Sequence, residues 1–266
     1  MIEGKIDWKE ESERFDESAT YYDKYRPSYP DEMIDFIINK TGISKESKIV
    51  EIGAGSGKAT KLFAQKSLSM FCIEPGENLV KLGKKNFENH IGIEYHKARF
   101  EEWNCPEEAF DLAISAQAFH WVPKPIGYQK CAQTLKSGGF IGLFWNHYME
   151  STNQVDKELL ELADKYGSIP LFYLMSDDNS EKRIAFNINS IESSDYFKNV
   201  AIHKYPWEQT YTAEEYLGFL KTGNGYLSLN ENERAYVEKE VIDIINRHGG
   251  TLTRTYICVL YLANKR

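Results

Sequence analysis

Apolar and polar positions alternate in blocks along the first half of this chain. Apolar runs of strand length, at Lys48 to Ile52, Ser69 to Ile73 and Phe110 to Ala116, are separated by stretches with helical spacing. Strand-like runs alternating with helical segments predict a parallel sheet. Pro30-Asp31 opens a helix carrying Met33, Ile34, Ile37 and Ile38, which ends near Thr41-Gly42. Strands are expected at about 47–52, 69–74, 91–96, 110–116 and 140–145. Helices are expected over about 57–66, from near Gly76 to Phe87, and over 126–135.

The pattern changes after Asn146. Val155, Leu159, Leu162, Ala163 and Tyr166 sit at helical spacing, and Asp177 to Glu181 reads as a polar loop. Val200 to Tyr211 reads as a strand, and Thr212-Ala213-Glu214-Glu215 starts a helix through Leu220. Ser228-Leu229-Asn230-Glu231 has the form of a capping box, ahead of a helix with Val237, Val241, Ile244 and Ile245 that Gly249-Gly250 stops. Thr251 to Leu262 is a terminal strand rich in β-branched and aromatic residues.

One junction carries candidate chemistry. Ile49-Val50-Glu51-Ile52-Gly53-Ala54-Gly55-Ser56-Gly57-Lys58-Ala59-Thr60 runs from a strand into a helix through three alternate glycines. Glycine permits positive φ and close backbone approach, and a helix start offers free N–H groups. Such a turn suits a ligand, although a tight connection can also be purely structural. The spacing is not the dinucleotide pattern G-x-G-x-x-G/A, because Lys58 stands where the third glycine belongs. It is not a P-loop either, because Ala59 follows Gly57-Lys58. Glu51 is expected beside the pocket, where a carboxylate repels pyrophosphate and suits a cation. Glu74 follows the second strand, nineteen residues after Gly55. An acid there accepts from ribose hydroxyls. It can equally be a first-turn acid of the next helix.

These residues, together with Phe110 to Trp121 and Leu135-Lys136-Ser137-Gly138-Gly139-Phe140, resemble the class I S-adenosylmethionine-dependent methyltransferases. Tyr21 to Pro30 resembles the N-terminal arm of the trans-aconitate-methyltransferase-like sub-group. The likeness is clear over about residues 15–146 and weak beyond. It implies an α/β fold: a doubly wound, Rossmann-like, seven-stranded sheet, mostly parallel with an antiparallel last strand. It also implies an arm over 1–30, a cofactor-binding core over 31–146, a helical cap over 147–198, and strands and helices over 199–266 that complete the sheet and cap.

S-adenosylmethionine is the cofactor that the resemblance implies. Its contacts are expected from Glu51, Gly53, Ala54, Gly55, Gly57, Thr60, Glu74, Pro75, Arg99, Phe100, Glu101, Ser115, Gln117 and Trp121. Many relatives carry an acid where Arg99 stands, so adenine is expected to meet backbone groups, with Phe100 or Arg99 stacked on the ring. His120 is the general-base candidate. Its competing role is packing with Trp121, and a carboxylate acceptor needs no base. His147 is a weaker candidate for the same role. Tyr21 and Arg26 are expected on a lid over the cofactor, with Arg26 holding a carboxylate; the competing role is a tyrosine staple. Trp207, Tyr211, Tyr216, Phe219 and Tyr226 line an acceptor pocket or simply form core.

Composition narrows the partners. The chain has 266 residues and a formal net charge of −8, which argues against a nucleic-acid backbone as the main partner. A small-molecule acceptor, of which a carboxylate-bearing one is an instance, is expected. Cys72, Cys105, Cys131 and Cys258 have no C-x-x-C spacing, and no metal site is expected. Met1 to Ser18 has no apolar core of a signal peptide, and no apolar run reaches membrane-spanning length, so a cytoplasmic location is expected. Oligomeric state and the methylated atom are not legible. Two other readings stand beside the enzyme: a non-catalytic protein that binds S-adenosylmethionine or S-adenosylhomocysteine, and an NAD-dependent oxidoreductase, against which Lys58 argues.

Overall fold

The computed structural model describes residue 16 and residues 19–165 and 174–266. The expected Tyr166 position, and the Met1 to Ser18 segment apart from Asp16, lie outside the described residues.

Chain order begins with α1 (Ala19–Tyr25), α2 (Asp31–Thr41), β1 (Lys48–Ile52), α3 (Lys58–Gln65), β2 (Ser69–Glu74), α4 (Glu77–Asn86), β3 (Ile93–Lys97) and β4 (Phe110–Ala116). It continues with α5 (Lys124–Thr134), β5 (Leu135–Met149), α6 (Gln154–Asp164), β6 (Leu174–Met175), α7 (Asp177–Glu192) and β7 (Phe197–Thr212). The last elements are α8 (Ala213–Leu220), α9 (Asn224–Leu227), α10 (Glu231–Arg247) and β8 (Thr251–Lys265). The sheet order is β3-β2-β1-β4-β5-β8-β7, and β6 adds a short parallel pairing to the end of β5. The sheet thus has eight strands among the described residues, one more than expected. Strands β1 to β5 pair in parallel. β8 runs antiparallel to β7, as the Thr210–Thr253 and Glu208–Thr255 hydrogen bonds show.

Two compact units share the chain, and β5, β7 and β8 each give residues to both. One unit comprises 28–146, 181–205 and 258–266. Its core is the parallel sheet: Ile49, Val50, Leu112, Ala113 and Ile114 are fully buried. Strands covered on both faces need such unbroken apolar runs, and each buried Ile or Val contributes about 1.5–3 kcal/mol. α2 ends where Gly42, at φ 69°, returns its N–H to the Ile38 carbonyl, the left-handed cap that glycine supplies without strain.

The other unit comprises 1–27, 147–180 and 206–257. Its core gathers Val155, Leu159, Tyr216, Val237, Val241 and Tyr256. Gly218 of α8 lets the Tyr25 ring of α1 lie close, since a Cβ there would stand 2.5 Å from it. Within this core Arg254 pairs with Asp156, and both side chains are buried. The same guanidinium donates to the Tyr216 hydroxyl at 2.5 Å. Tyr211, Tyr216, Phe219 and Tyr226 are buried and Trp207 packs against them, which is core rather than an open pocket lining.

Three local expectations change. Asp177 to Glu181 is the first turn of α7, not a loop, and Ser176 Oγ accepts from the Asn179 N–H at 3.3 Å. Acids stabilise that end of a helix through its dipole, so polarity there marked a start rather than a gap. The cap of α10 is Asn230, whose box partner is Glu233; Ser228 instead donates to the Asn224 carbonyl at 2.8 Å. β5 (Leu135–Met149) and β7 (Phe197–Thr212) are longer than the apolar runs that marked them.

Removing one partner of a buried ion pair strands the other charge. Arg254→Met is therefore expected to lower stability by about 3–5 kcal/mol in urea unfolding, and the double variant Arg254→Met/Asp156→Leu to recover most of that loss. Equal stability of Arg254→Met and the native chain would contradict this account of the pair.

Candidate functional site

The strand order reverses between β1 and β4. The connections leaving β1 and β4 therefore diverge and leave a crevice at the carboxyl ends of these strands, where ligands of doubly wound sheets lie.

The glycine loop forms one wall. Gly53, Gly55 and Gly57 take φ of 70°, 57° and 102°, which side chains with a Cβ rarely adopt. The Gly53 and Ala54 N–H groups donate to the Ile73 carbonyl at 2.8 and 3.1 Å. A Cβ on Gly53 would stand 2.4 Å from the Ala118 Cβ. Gly53 thus lets the loops after β1 and β4 meet. A Cβ on Gly57 would stand 2.2 Å from the Phe87 ring and 2.7 Å from the Tyr95 hydroxyl. Gly57 also precedes α3, whose first N–H groups receive no side-chain cap.

Glu74 ties this loop to the end of β2. Its carboxylate accepts from the Gly55 N–H at 2.8 Å and from the Gly76 N–H at 2.9 Å. Pro75 between them is half-buried. The acid therefore faces the glycine loop and fixes its shape.

Glu51 is corrected. It lies beneath the loop at 1% exposure, not beside an open pocket. Its Oε2 accepts from Thr60 Oγ1 at 2.6 Å, so the Thr60 hydroxyl turns inward as well. Burial, and secondarily the Glu74 charge, push the Glu51 carboxyl up to about 8, so it is neutral at pH 7. It cannot supply the negative charge expected of it for a cation there. Ser115 also looks inward: its hydroxyl donates to the Ile52 carbonyl at 2.7 Å and locks β4 to β1.

The segment after β3 starts at Ala98, whose N–H donates to the Glu74 carbonyl at 3.1 Å. Arg99 and Glu101 are half-buried. Phe100, at 3% exposure, packs near Trp103 in the interior with ring centroids 6.0 Å apart. Phe100 therefore offers no open ring face for stacking. Lys130 of α5 donates to the Phe100 and Trp103 carbonyls at 3.3 and 2.5 Å, pinning this turn.

The turn after β4 is strained. Gln117 has φ 56°, a region that costs a non-glycine residue on the order of 1–3 kcal/mol and that clusters at functional sites. Its N–H donates to the Phe144 carbonyl at 2.9 Å, and its side chain reaches the Asn146 carbonyl at 3.4 Å. Asn146, just past the end expected for this strand, donates to the Ser28 carbonyl at 2.9 Å. Trp121 is half-buried beside His120, with ring centroids 4.8 Å apart. His120 Nδ1 accepts from Trp145 Nε1 at 3.2 Å. Neutral imidazole then carries its proton on Nε2 and presents a donor outward. Crowding, and then the Arg183 guanidinium, hold this imidazole down to about 4. Its outer edge meets solvent, which tempers that shift; the neutral form stands on the indole hydrogen bond as well.

Tyr21, Arg26 and His147 lie in the other unit. Tyr21 is exposed and stacks on Tyr25 at 5.9 Å. Arg26 donates to the Thr222 carbonyl at 2.9 Å and to the Tyr148 hydroxyl at 3.5 Å. His147, the weaker base candidate, is buried, with Nδ1 2.7 Å from Ser180 Oγ.

Comparison with known proteins gives this geometry its class. Residues 50–143 match the family model described as a methyltransferase domain, from the middle of β1 into β5. A Dictyostelium discoideum protein bearing a methyltransferase name is 23% identical over 92% of this chain and 86% of its own. A solved structure from Anaeromyxobacter dehalogenans, named as a type II methyltransferase, shares the fold with a TM-score of 0.63 at 16% identity, over 90% of this chain and 98% of that one. Phosphoethanolamine N-methyltransferase 2 of Haemonchus contortus, solved with S-adenosyl-L-methionine, superposes with a TM-score of 0.56 at 13% identity, over 98% of this chain and 60% of that one. Residues 50–143 are thus similar to a methyltransferase domain, and together with the methyltransferase-named relatives they support an S-adenosylmethionine-dependent methyltransferase. S-adenosylmethionine is its cofactor, which sets aside the NAD-dependent reading, and the methyltransferase domain with the methyltransferase-named relatives favours the enzyme over the non-catalytic reading. The residues present fit that cofactor: an uncapped helix start, three left-handed glycines and a carboxylate bonded to the loop. No described helix is long and apolar enough to cross a membrane.

Glu51 generates a pH prediction. An acid whose folded value is raised from 4.5 to about 8 binds more protons folded than unfolded across that interval. Its contribution to stability therefore falls as pH rises from about 4.5 to 8. Glu51→Gln is expected to flatten that part of the stability–pH curve in urea unfolding, and to gain on the native chain most at pH 8. Parallel curves for the two proteins would refute the buried neutral carboxyl.

Proposed function

We propose that this enzyme transfers a methyl group in line to a small-molecule acceptor, with the cofactor held at the switch between β1 and β4. The observation that carries this reading is the meeting of the loops after β1 and β4, where Gly53 lies against Ala118 and the next residue back, Gln117, is held left-handed. Gly53, Ala54, Gly55 and Gly57 would bring backbone to the methionine and ribose part. Glu74 would accept from the ribose hydroxyls, and Arg99 with the Ala98 and Glu101 backbone would meet the adenine. Gln117 and Trp121 would border the transferable methyl. When bound, S-adenosylmethionine supplies an electrophilic methyl group and leaves as neutral S-adenosylhomocysteine.

Alignment of the acceptor with that methyl can supply much of the rate. In this reading His120 acts as a hydrogen-bond donor through Nε2, since its Nδ1 lone pair is already engaged by Trp145. The acidic net charge supports a small molecule over a nucleic acid, and the sequence resemblance to trans-aconitate-methyltransferase-like enzymes supports a carboxylate-bearing one. Arg26, with its partners Thr222 and Tyr148, is read as holding the arm in place rather than as the first group to meet a carboxylate.

Gly55 is the sharpest test, because a side chain at its φ of 57° strains the loop and intrudes where backbone must approach. Calorimetry with S-adenosylhomocysteine is expected to show binding to the native protein and a loss of at least about a hundredfold, ~2.7 kcal/mol, in Gly55→Asp. Undiminished binding would remove the cofactor from this loop. A screen of small acids with labelled cofactor identifies the acceptor.

A further inference from the structure

Beyond the carboxyl end of β4, positive charge gathers, and among the described residues no acid pairs with it. Lys124 opens α5, directly after the 3-10 turn Phe119–Trp121 that carries His120. Arg183 projects from α7, close enough to act electrostatically on both His120 and Lys124. Lys124 Nζ lies 3.8 Å from the centroid of the Phe186 ring, one turn further along α7. Neither Lys124 nor Arg183 hydrogen-bonds or ion-pairs with a carboxylate among the described residues. The nearby acid on α7, Glu181, is taken by Lys204. The first turn of α5 holds no acid either, and its N-cap Pro123 offers no capping oxygen.

The three side chains present donors of one kind. His120, bonded through Nδ1 to Trp145, offers Nε2–H. Lys124 offers an ammonium and Arg183 a planar fork suited to a two-oxygen anion. Like charges near one another are costly without a counter-ion, and here burial, and then Arg183, lower the Lys124 ammonium. Trp121 and Trp145 supply apolar walls beside His120.

We propose that His120, Lys124 and Arg183 form an anion subsite that receives a carboxylate or phosphate group of the acceptor. This assignment rests on the methyltransferase reading of the adjoining crevice. It moves acceptor selection from Arg26 to a cluster on α5, α7 and the turn after β4. An acceptor whose anion docks there presents a second atom, one arm's length away, to the crevice.

Nuclear magnetic resonance of the His120 ring tests it in the full chain saturated with S-adenosylhomocysteine, with assignment from His120→Gln. Citrate and glycerol 3-phosphate are titrated separately at constant ionic strength, with chloride as the control. The expected result is a saturable His120 shift with at least one of the two probes and none with chloride. A stronger response to citrate or to glycerol 3-phosphate separates a carboxylate source from a phosphate source. Arg183→Gln and Lys124→Gln are each expected to weaken the midpoint at least about tenfold, while Arg183→Lys retains more than Arg183→Gln. Unchanged S-adenosylhomocysteine affinity in the variants shows that the crevice is intact. No saturable shift in the native chain, or equal midpoints in the native and both glutamine variants, overturns the subsite while leaving the cofactor reading standing. Failure of the native chain to bind S-adenosylhomocysteine would instead strike the cofactor reading.

Discussion

The approach of Gly53 to Ala118 is the constraint on which the site depends. A methyl group on residue 53 would stand 2.4 Å from the Ala118 Cβ, so the two loops at the strand switch meet only because one residue has no side chain and the other has a small one. Around that contact the sheet is clamped by short polar links. Ser115 donates to the Ile52 carbonyl, Gly53 to the Ile73 carbonyl and Gly55 to the Glu74 carboxylate. Each bond runs between the ends of neighbouring strands. The loops are thus part of the sheet's own hydrogen-bond pattern, and a rigid sheet places them. Preorganisation of this kind is what a methyl transfer that relies on alignment requires.

The same polar links explain which residues turn inward. Thr60, Glu51, Ser115 and Glu74 all lie near the glycine loop, where a ligand could meet them. Thr60 and Glu51 instead satisfy each other beneath it, Ser115 satisfies a carbonyl, and Glu74 alone reaches the loop's backbone. Two of these groups are fully buried and a third nearly so. A buried hydroxyl or carboxyl without a partner costs on the order of 1–3 kcal/mol, so pairing within the protein takes precedence over ligand contact. The neutral state of Glu51 follows from that placement and not from any proximity to a bound cation.

The sheet and the glycine loop were legible in the chain because period and glycine spacing report directly on backbone geometry. The apolar runs around Ile49 to Ile52 and Leu112 to Ala116, each with one polar residue, read as strands covered on both faces. The three alternate glycines foretold three left-handed residues. What the chain did not disclose depends on side-chain orientation between distant segments. Gln117 carries no glycine-like signal, yet it is left-handed. Phe100 reads as a stacking ring but packs inward. Asp177 and Asp178 read as loop polarity and instead begin α7. That misreading matters most, because α7 carries Arg183 to the turn after β4, over sixty positions away in sequence. No local pattern links those two places; the fold does.

The central claim is that the cofactor sits on the glycine loop at the β1/β4 switch. A crystal structure of the protein with S-adenosylhomocysteine tests it most directly. The account predicts ligand density along Gly53 to Gly57, with ribose hydroxyls on the Glu74 carboxylate and the sulfur end directed toward Gln117 and Trp121. Ordered ligand elsewhere, with the glycine loop and Glu74 making no contact to it, would contradict the account.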